Sequence, residues 1–190
     1  MTIVSLRGTS GSGKSTVVHQ ILQRWPHELL DCDPKGRPRN YRVTLPNGEP
    51  LYIIGRYTTQ CGGCDGIQPY SDIVKRIAKY APKGHVLFEG LLISSGYGSI
   101  GKFSERYGED FVFAFMDTPL KVCLQRIQKR RKAKGNTKPL NPYNTELKHK
   151  VMWKSVKVIG DLGRRCVIID HQKAFSQVMK LYGIRVRESK

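Results

Sequence analysis

Residues 7–16 have the sequence Arg7-Gly8-Thr9-Ser10-Gly11-Ser12-Gly13-Lys14-Ser15-Thr16. The segment matches the pattern G-x-x-x-x-G-K-[ST]. Residues 2–6 before it are mostly apolar or β-branched and predict a buried strand, whereas residues 15–24 after it carry apolar side chains at helical spacing. A strand, a glycine-rich turn and a helix in this order are the context that the pattern requires, so this segment sets the fold.

The residue types of the segment suit a phosphate. Gly8, Gly11 and Gly13 allow the backbone to wrap an anion with several N–H groups pointing inward, and the N-terminus of the helix adds positive potential. Lys14 is placed to reach the β- and γ-phosphates, and the Ser15 hydroxyl to bind Mg²⁺. We therefore expect residues 8–16 to bind ATP with Mg²⁺.

Charge dominates the composition. The 190 residues include 33 Lys and Arg against 15 Asp and Glu, which gives a net charge of +18. Such an excess favours a polyanionic partner, although it can also serve solubility alone. The five cysteines are too few for a disulfide scaffold and indicate a reducing, cytoplasmic compartment. No leader peptide is expected, because the chain opens directly into a core strand, and no membrane span is expected, because no apolar run approaches the required length.

Apolar strands alternate with helices along the chain. After the first strand we expect strands at residues 85–90, 111–116 and 166–170, each followed by a helix, and a β-hairpin at residues 41–54. This pattern predicts a P-loop NTPase fold with three α/β/α layers, a five-stranded parallel sheet, a hairpin inserted after the first helix and a basic helical lid. The whole chain, 1–190, is expected to form one domain, with the lid at about 126–150.

Several charged residues lie where the strands should end, which is where parallel sheets bind ligands. Glu89 ends an apolar strand and is a candidate Mg²⁺ ligand, or alternatively a helix cap. Arg126 and Arg130 lie one turn apart on a basic helix, where they can bind a triphosphate or simply face solvent. Residues 121–165 contain 14 Lys and Arg but only Glu146 and Asp161. The surplus of charge indicates a second polyanion, for which nucleic acid is the obvious choice.

The segment Cys61-Gly62-Gly63-Cys64-Asp65 allows two interpretations. The two cysteines could bind zinc, but no second ligand pair is present in the sequence. The glycines more readily shape a tight substrate loop that presents Asp65 as the base for a substrate hydroxyl. Asp33 is the rival base, because it lies about twenty residues after Lys14, a plausible distance for the end of a second strand; we favour Asp65.

Three features together resemble the P-loop phosphokinases of the uridine and nucleotide kinase type. They are the Lys14-Ser15 motif, Glu89 after its strand, and Asp117-Thr118-Pro119 followed by Arg126 and Arg130. The resemblance implies that Glu89 helps to bind Mg²⁺ and that residues 126–131 belong to a phosphate-covering lid. The sequence departs from that pattern in lacking a recognisable second-strand catalytic Asp followed by an aromatic residue.

The loop that begins at Arg56 and Tyr57 and ends at Asp65 is similar, together with the excess charge, to that of the phage-encoded 5-hydroxymethyluridine DNA kinases. This narrower resemblance implies an ATP-dependent kinase that acts on the 5-hydroxymethyl group of 5-hydroxymethyluracil in DNA, a bacteriophage DNA modification. Arg56, Tyr57 and Asp65 would bind the substrate, with Tyr57, Tyr97 or Tyr107 stacking on a flipped base. The alternatives are a kinase for a free nucleoside or nucleotide, and a nucleic-acid-binding ATPase without an acceptor.

Overall fold

The computed structural model describes residues 1–95, 97–136 and 138–186. Within these ranges the strands are β1 Ile3–Arg7, β2 His27–Leu30, β3 Asn40–Thr44, β4 Pro50–Ile54, β5 His85–Glu89, β6 Phe111–Asp117 and β7 Cys166–Asp170. The α-helices are α1 Lys14–Arg24, α2 Ser71–Tyr80, α3 Gly98–Ser104, α4 Leu120–Ala133, α5 Tyr143–Asp161 and α6 Ala174–Lys180. Short 3-10 turns at Ala81–Lys83, Leu92–Ser95 and Gly108–Asp110 complete the regular structure.

All the described strands form one sheet in the order β2-β3-β4-β5-β1-β6-β7. Five neighbouring strands, β4 to β7 in this order, run parallel, whereas β3 is antiparallel to both β4 and β2. The predicted P-loop fold with a parallel sheet is therefore confirmed. The expected count of five strands omits the antiparallel pair at one edge, and the predicted hairpin is part of the main sheet because β4 pairs with β5.

Strand β2 was not expected from the sequence. Its residues are mostly exposed, and Leu29 keeps 53% of its surface accessible to solvent. Strands are recognised in sequence by alternating or continuous apolar residues that become buried. A short, solvated edge strand carries no such pattern.

Helices cover both faces of the sheet. Val17, Val18 and Ile21 of α1 pack on one face together with side chains of α6. The other face is covered by α2, α3 and α5, which contribute Ile73, Ile77, Ile100, Phe103, Met152 and Ile159. The central strands are therefore buried on both sides, as a three-layer arrangement requires. None of the helices in the described ranges combines the length and apolar composition needed to cross a bilayer.

The carboxyl ends of the parallel strands meet at one edge of the sheet. The residues that follow β1, β4, β5, β6 and β7 there are separated in sequence by up to about 160 positions. The segment predicted as a lid, residues 126–150, contains the second half of α4, a connecting loop and the start of α5. Thr137 within it lies outside the described residues.

Truncating a buried side chain of β4 tests whether the hairpin belongs to the core. Ile53 is fully buried, so Ile53→Ala is expected to lower the free energy of unfolding by about 2–5 kcal/mol. Leu29→Ala on β2 should cost less than about 0.5 kcal/mol, because the side chain is largely solvated. Urea denaturation measures both. A small effect of Ile53→Ala would mean that β3 and β4 form a peripheral insertion instead.

Candidate active site

The glycine-rich segment forms a compact turn between β1 and α1. Gly11 and Gly13 have φ angles of 79° and 106°, in the left-handed region that favours glycine. A Cβ on Gly11 would lie 2.5 Å from the Cys123 carbonyl oxygen. The Thr118 hydroxyl donates a hydrogen bond to the Ser12 carbonyl at 2.9 Å, which anchors the turn on the chain that follows β6. The turn is therefore fixed from behind by α4 and its N-terminal loop.

Lys14, Ser15 and Glu89 meet at the mouth of this turn. The Lys14 ammonium donates to the carbonyl oxygens of Gly8 at 2.8 Å and Thr9 at 3.3 Å. It also lies 4.0 Å from Glu89 Oε2, and the Ser15 hydroxyl donates to Glu89 Oε1 at 2.7 Å. Burial raises the pKa of the Glu89 carboxyl above its usual value, and the Lys14 charge opposes that shift.

The Ser15 and Glu89 oxygens fit the donor set of a Mg²⁺ site. Magnesium prefers oxygen ligands and is usually bound through one or two protein groups together with substrate phosphates. Glu89 is only 2% exposed, and an ionised carboxylate buried to that degree requires a cation or hydrogen bonds. The hydroxyl and the carboxylate are already in contact, so they can share one ion at the end of β5.

Arg126 and Arg130 extend from α4 over the glycine-rich turn. One nitrogen of Arg126 donates to the carbonyl oxygens of Gly11 and Ser12, both at 3.3 Å. Arg130 donates to the Ser10 hydroxyl oxygen at 3.3 Å. Both guanidinium groups thus lie beside the expected phosphate position, on the side of β1 opposite to Glu89.

The loop after β4, residues 55–66, lies against the end of β5. Gly63 has a φ of 108°, and a Cβ on it would lie 2.7 Å from the Glu89 carbonyl oxygen and 2.9 Å from Glu89 Oε1. Gly55, with a φ of 118°, has no room for a Cβ because Gly63 lies against it. The Cys64 N–H donates to the Glu89 carbonyl at 2.8 Å. We call residues 55–66 the acceptor loop, and only glycine at position 63 allows this close approach to Glu89.

Asp65, in the acceptor loop, is held by hydrogen bonds from the chain that follows β5. Its carboxylate accepts hydrogen bonds from the N–H groups of Leu91 at 2.9 Å and Leu92 at 3.1 Å. The residue is exposed and lines the cleft in front of the glycine-rich turn. Its position is therefore fixed relative to Glu89, and lone pairs remain for a further hydrogen bond.

Asp33 follows the second strand of the chain but lies away from the cleft. It is in the loop after β2, and β2 is the edge strand of the sheet, three strands from β5. Its carboxylate accepts hydrogen bonds from Arg37 and Arg56, and the Arg37 bond is the main cause that lowers the Asp33 pKa to about 2. A carboxylate held ionised in this way is a poor proton acceptor.

The tyrosines expected to stack on a base are packed within the protein. Tyr57 is 5% exposed, and its ring contacts those of Tyr41 and His19. Tyr107 contacts Phe111 at the start of β6, at the opposite edge of the sheet, and the Tyr97 hydroxyl bonds Glu105 and Arg164. In this conformation none of the three offers a free ring face in the cleft.

An open cleft of about 1010 Å³ connects these groups. It is lined by residues 10–16 and by Asp65, Glu89, Arg126 and Arg130, whereas Asp33, Arg56 and Tyr57 do not line it. The cleft also includes His171, Gln172 and Lys173 after β7, which the sequence analysis missed. The strand predicted at residues 166–170 places these residues at a strand end, but their residue types alone do not mark a ligand site.

The two cysteines of the acceptor loop differ in environment. Cys61 is exposed and lines the cleft, while Cys64 is buried and its thiol lies 3.5 Å from the Ile54 carbonyl oxygen. Burial raises the pKa of the Cys64 thiol, which disfavours the thiolate that zinc binding needs. Across the described ranges no group of three or more His, Cys, Asp and Glu side chains is arranged to hold a metal ion.

Two phage proteins are similar to this chain over most of its length. The 5-hmdU DNA kinase of Pseudomonas phage PaMx11 is 33% identical over 183 residues, which cover 94% of this chain and 96% of the relative. The 5-hmdU DNA kinase of Pseudomonas phage M6 is 33% identical over 165 residues, covering 80% and 82%. No family model matches the sequence.

Among solved structures, deoxyadenosine kinase from M. mycoides with bound dATP aligns with a TM-score of 0.50. The alignment covers 96% of this chain and all of that one, at 12% identity. At this level of identity the similarity concerns the fold alone.

Replacing Gly63 tests the close approach of the acceptor loop to Glu89. Gly63→Ala must displace the loop or Glu89, since the added Cβ overlaps both the carbonyl and the carboxylate. We expect phosphoryl-transfer turnover to fall about 10²-fold, as misplacement by about 1 Å can cause, while ATP affinity measured by calorimetry changes little.

The matched control is Gly66→Ala on the same loop, where a Cβ meets no atom within 4 Å. This variant should keep its turnover. Equal losses in the two variants, with unchanged thermal unfolding, would contradict a specific role for the contact between Gly63 and Glu89.

Proposed function

The chain belongs to the 5-hmdU DNA kinase family, and we propose that it transfers the γ-phosphate of ATP to the 5-hydroxymethyl group of 5-hydroxymethyluracil in DNA. The observation that carries this proposal is that the glycine-rich turn and the acceptor loop both contact Glu89. The glycine-rich turn with Lys14 and Ser15 suits the donor nucleotide, and the acceptor loop places Asp65 next to Glu89. The names of the phage relatives support the choice of acceptor.

On the donor side the residues act mainly through positive charge. The N–H groups of the turn, the Lys14 ammonium and the guanidinium groups of Arg126 and Arg130 bind and orient the phosphates. Mg²⁺ held by Ser15 and Glu89 supplies further neutralisation of phosphate charge when bound. Lys14 then exchanges its present carbonyl partners for phosphate oxygens, a change that requires only rotation of a flexible side chain.

On the acceptor side Asp65 is proposed to accept the hydroxyl proton as the oxygen attacks the phosphorus. Its two hydrogen bonds from backbone N–H groups hold the carboxylate in one orientation. The oxygen lone pairs that these bonds leave free can accept the hydrogen of the substrate hydroxyl. Phosphoryl transfer through a loose transition state needs positioning more than a strong base, which suits a carboxylate fixed in place.

The acceptor hydroxyl belongs to a base rather than to a chain end. In duplex DNA a 5-hydroxymethyl group lies in the major groove, at the position of the thymine methyl. Asp65, Glu89 and the glycine-rich turn lie inside a cleft, so we propose that the modified base leaves the stack to reach them, as other base-modifying enzymes require. The 1010 Å³ of the cleft leaves space for a nucleotide donor and a pyrimidine together.

Transfer from γ-labelled ATP tests the function directly. The protein is incubated with DNA that contains 5-hydroxymethyluracil, with the same DNA containing thymine, and with free 5-hydroxymethyl-2′-deoxyuridine. We expect label on the hydroxymethylated polymer alone, and Lys14→Ala should reduce it by about 10²-fold or more, because a group that binds transition-state charge is lost. Label on the free nucleoside only would mean that the enzyme is a nucleoside kinase. Label in inorganic phosphate only would indicate an ATPase.

Asparagine substitutions compare the two candidate bases. Asp65→Asn is expected to lower kcat about 10²-fold, the scale of general-base catalysis, with little change in the Kd for ATP. Asp33→Asn should retain most of kcat, since that carboxylate is engaged by Arg37 and Arg56 outside the cleft. Steady-state kinetics on hydroxymethylated DNA decides between them. The reverse result would assign the base to Asp33.

A further inference from the structure

The loop between β2 and β3 is built around one carboxylate. Asp33 accepts hydrogen bonds from the backbone N–H groups of Lys35 at 2.9 Å and Arg37 at 3.0 Å. The same carboxylate binds the guanidinium groups of Arg37 at 2.8 Å and Arg56 at 3.0 Å. This arrangement orders a mostly polar loop, in which Pro38 is buried, and joins it to the start of the acceptor loop.

The cations of this loop face solvent while its acid does not. The Asp33 side chain is 7% exposed, whereas those of Arg37 and Arg56 are 51% and 38% exposed. Lys35 and Arg39 are exposed as well. We call Lys35, Arg37, Arg39 and Arg56 the loop surface. The buried acid pairs with Arg37 and Arg56, and the four cations are the charged groups of this set that solvent reaches.

The loop surface lies on the acceptor side of the cleft. Arg56 and Gly63 pair through N–H···O bonds of 3.0 and 3.4 Å, and Gly63 lies against Glu89. Along the sheet, β3 and β2 are two and three strands from β5. With about 4.8 Å between strands, the loop between them lies roughly 10–15 Å from the end of β5. That distance corresponds to about three or four nucleotides of a strand with a rise of 3.4 Å.

Two cations on the other side of the cleft are expected to bind ATP and not the acceptor. Arg126 and Arg130 contact the glycine-rich turn from the β6 side, where the ATP phosphates are expected. A small acceptor would have no use for further cations 10–15 Å away from the reacting atoms. A polymer would, because its backbone continues past the modified base with one negative charge per nucleotide.

We propose that the loop surface binds the sugar–phosphate backbone of DNA on one side of the base that is phosphorylated. The inference rests on the proposed function and adds to it the place where the polymer is held. Arginine and lysine contacts to phosphates position a strand without reading its sequence. The loop surface therefore sets affinity for DNA as a polymer, while the cleft selects the hydroxymethylated base.

Charge reversal at two positions tests this surface. Lys35→Glu with Arg39→Glu leaves the contacts of Asp33 with Arg37 and Arg56 intact. The matched control, Lys83→Glu with Lys180→Glu, makes the same change in net charge at exposed sites. These control sites lie at the opposite edge of the sheet, next to the start of β5 and at the end of α6. Steady-state transfer to a long hydroxymethylated duplex is measured for both, with thermal unfolding as a check on folding.

The loop variant is expected to raise KM for DNA at least about tenfold and to leave kcat at saturating DNA and KM for ATP within about twofold. In a plot of log binding constant against log salt concentration, the slope should become less negative by about 1.8, which corresponds to the loss of about two phosphate contacts at roughly 0.9 each. The control variant should change KM for DNA by no more than about twofold. Equal increases in KM for the two variants would overturn the inference, since the charges would then act only through net charge.

Shortening the duplex provides the second measurement. When DNA ends within about two base pairs of the modified base on the bound side, wild type should lose affinity until it equals the loop variant, because the contact lies three or four base pairs away. If wild type still binds the shortened DNA more tightly than the loop variant does, whichever side of the modified base is shortened, the inference would be overturned. Failure of the proposed function would appear differently, as absence of transfer by wild type, and DNA binding by fluorescence anisotropy would still test the loop surface.

Discussion

No side chain fits between the acceptor loop and the carboxylate at the end of β5. Gly63 lies against both the carbonyl and the side chain of Glu89, and Asp65 accepts hydrogen bonds from Leu91 and Leu92 just beyond it. These contacts join the chain after β4 to the chain after β5 as one rigid unit. Ser15 contacts the same unit through Glu89. The glycine-rich turn, the proposed metal ligands and the proposed base thus have fixed relative positions before any substrate binds, which is what phosphoryl transfer demands.

The charges of the molecule are divided on either side of this unit. Arg126 and Arg130 lie over the glycine-rich turn on the β6 side, and the cations ordered by Asp33 lie on the β4 side. The two acids of the cleft, Asp65 and Glu89, lie between them. In a protein with an excess of Lys and Arg, the carboxylates near the reacting atoms must avoid ion pairs that would block the substrates. Backbone N–H groups hydrogen-bond to the Asp65 carboxylate, which forms no ion pair with any residue that the structure describes.

The sequence alone predicted most of the scaffold and the donor half of the site. Local signals suffice there: the spacing of Ile73 and Ile77 with the Pro82-containing stop defines α2, and the pattern around Lys14 defines its turn. The acceptor half depends on contacts that sequence order hides. Asp33 had a suitable distance from Lys14, but β2 and β3 intervene before the second core strand, and the Asp33 carboxylate organises a loop. Tyr57 follows a strand as a ligand-binding residue would, yet its ring fills space beside Tyr41. Burial of that kind is decided by packing across the sheet.

The antiparallel pair β2–β3 extends an otherwise parallel sheet only at its acceptor edge. Strand β3 pairs with β4, and β2 pairs only with β3. The hydrogen bonds that fix Lys14 and Ser15 go to Gly8 and Glu89, not to this pair of strands. Tyr41 and Val43 of β3 are part of the core, and Asn40 and Tyr41 bind the backbone of the acceptor loop, so only the exposed positions of the β2–β3 loop are free to change their charge without disturbing the site.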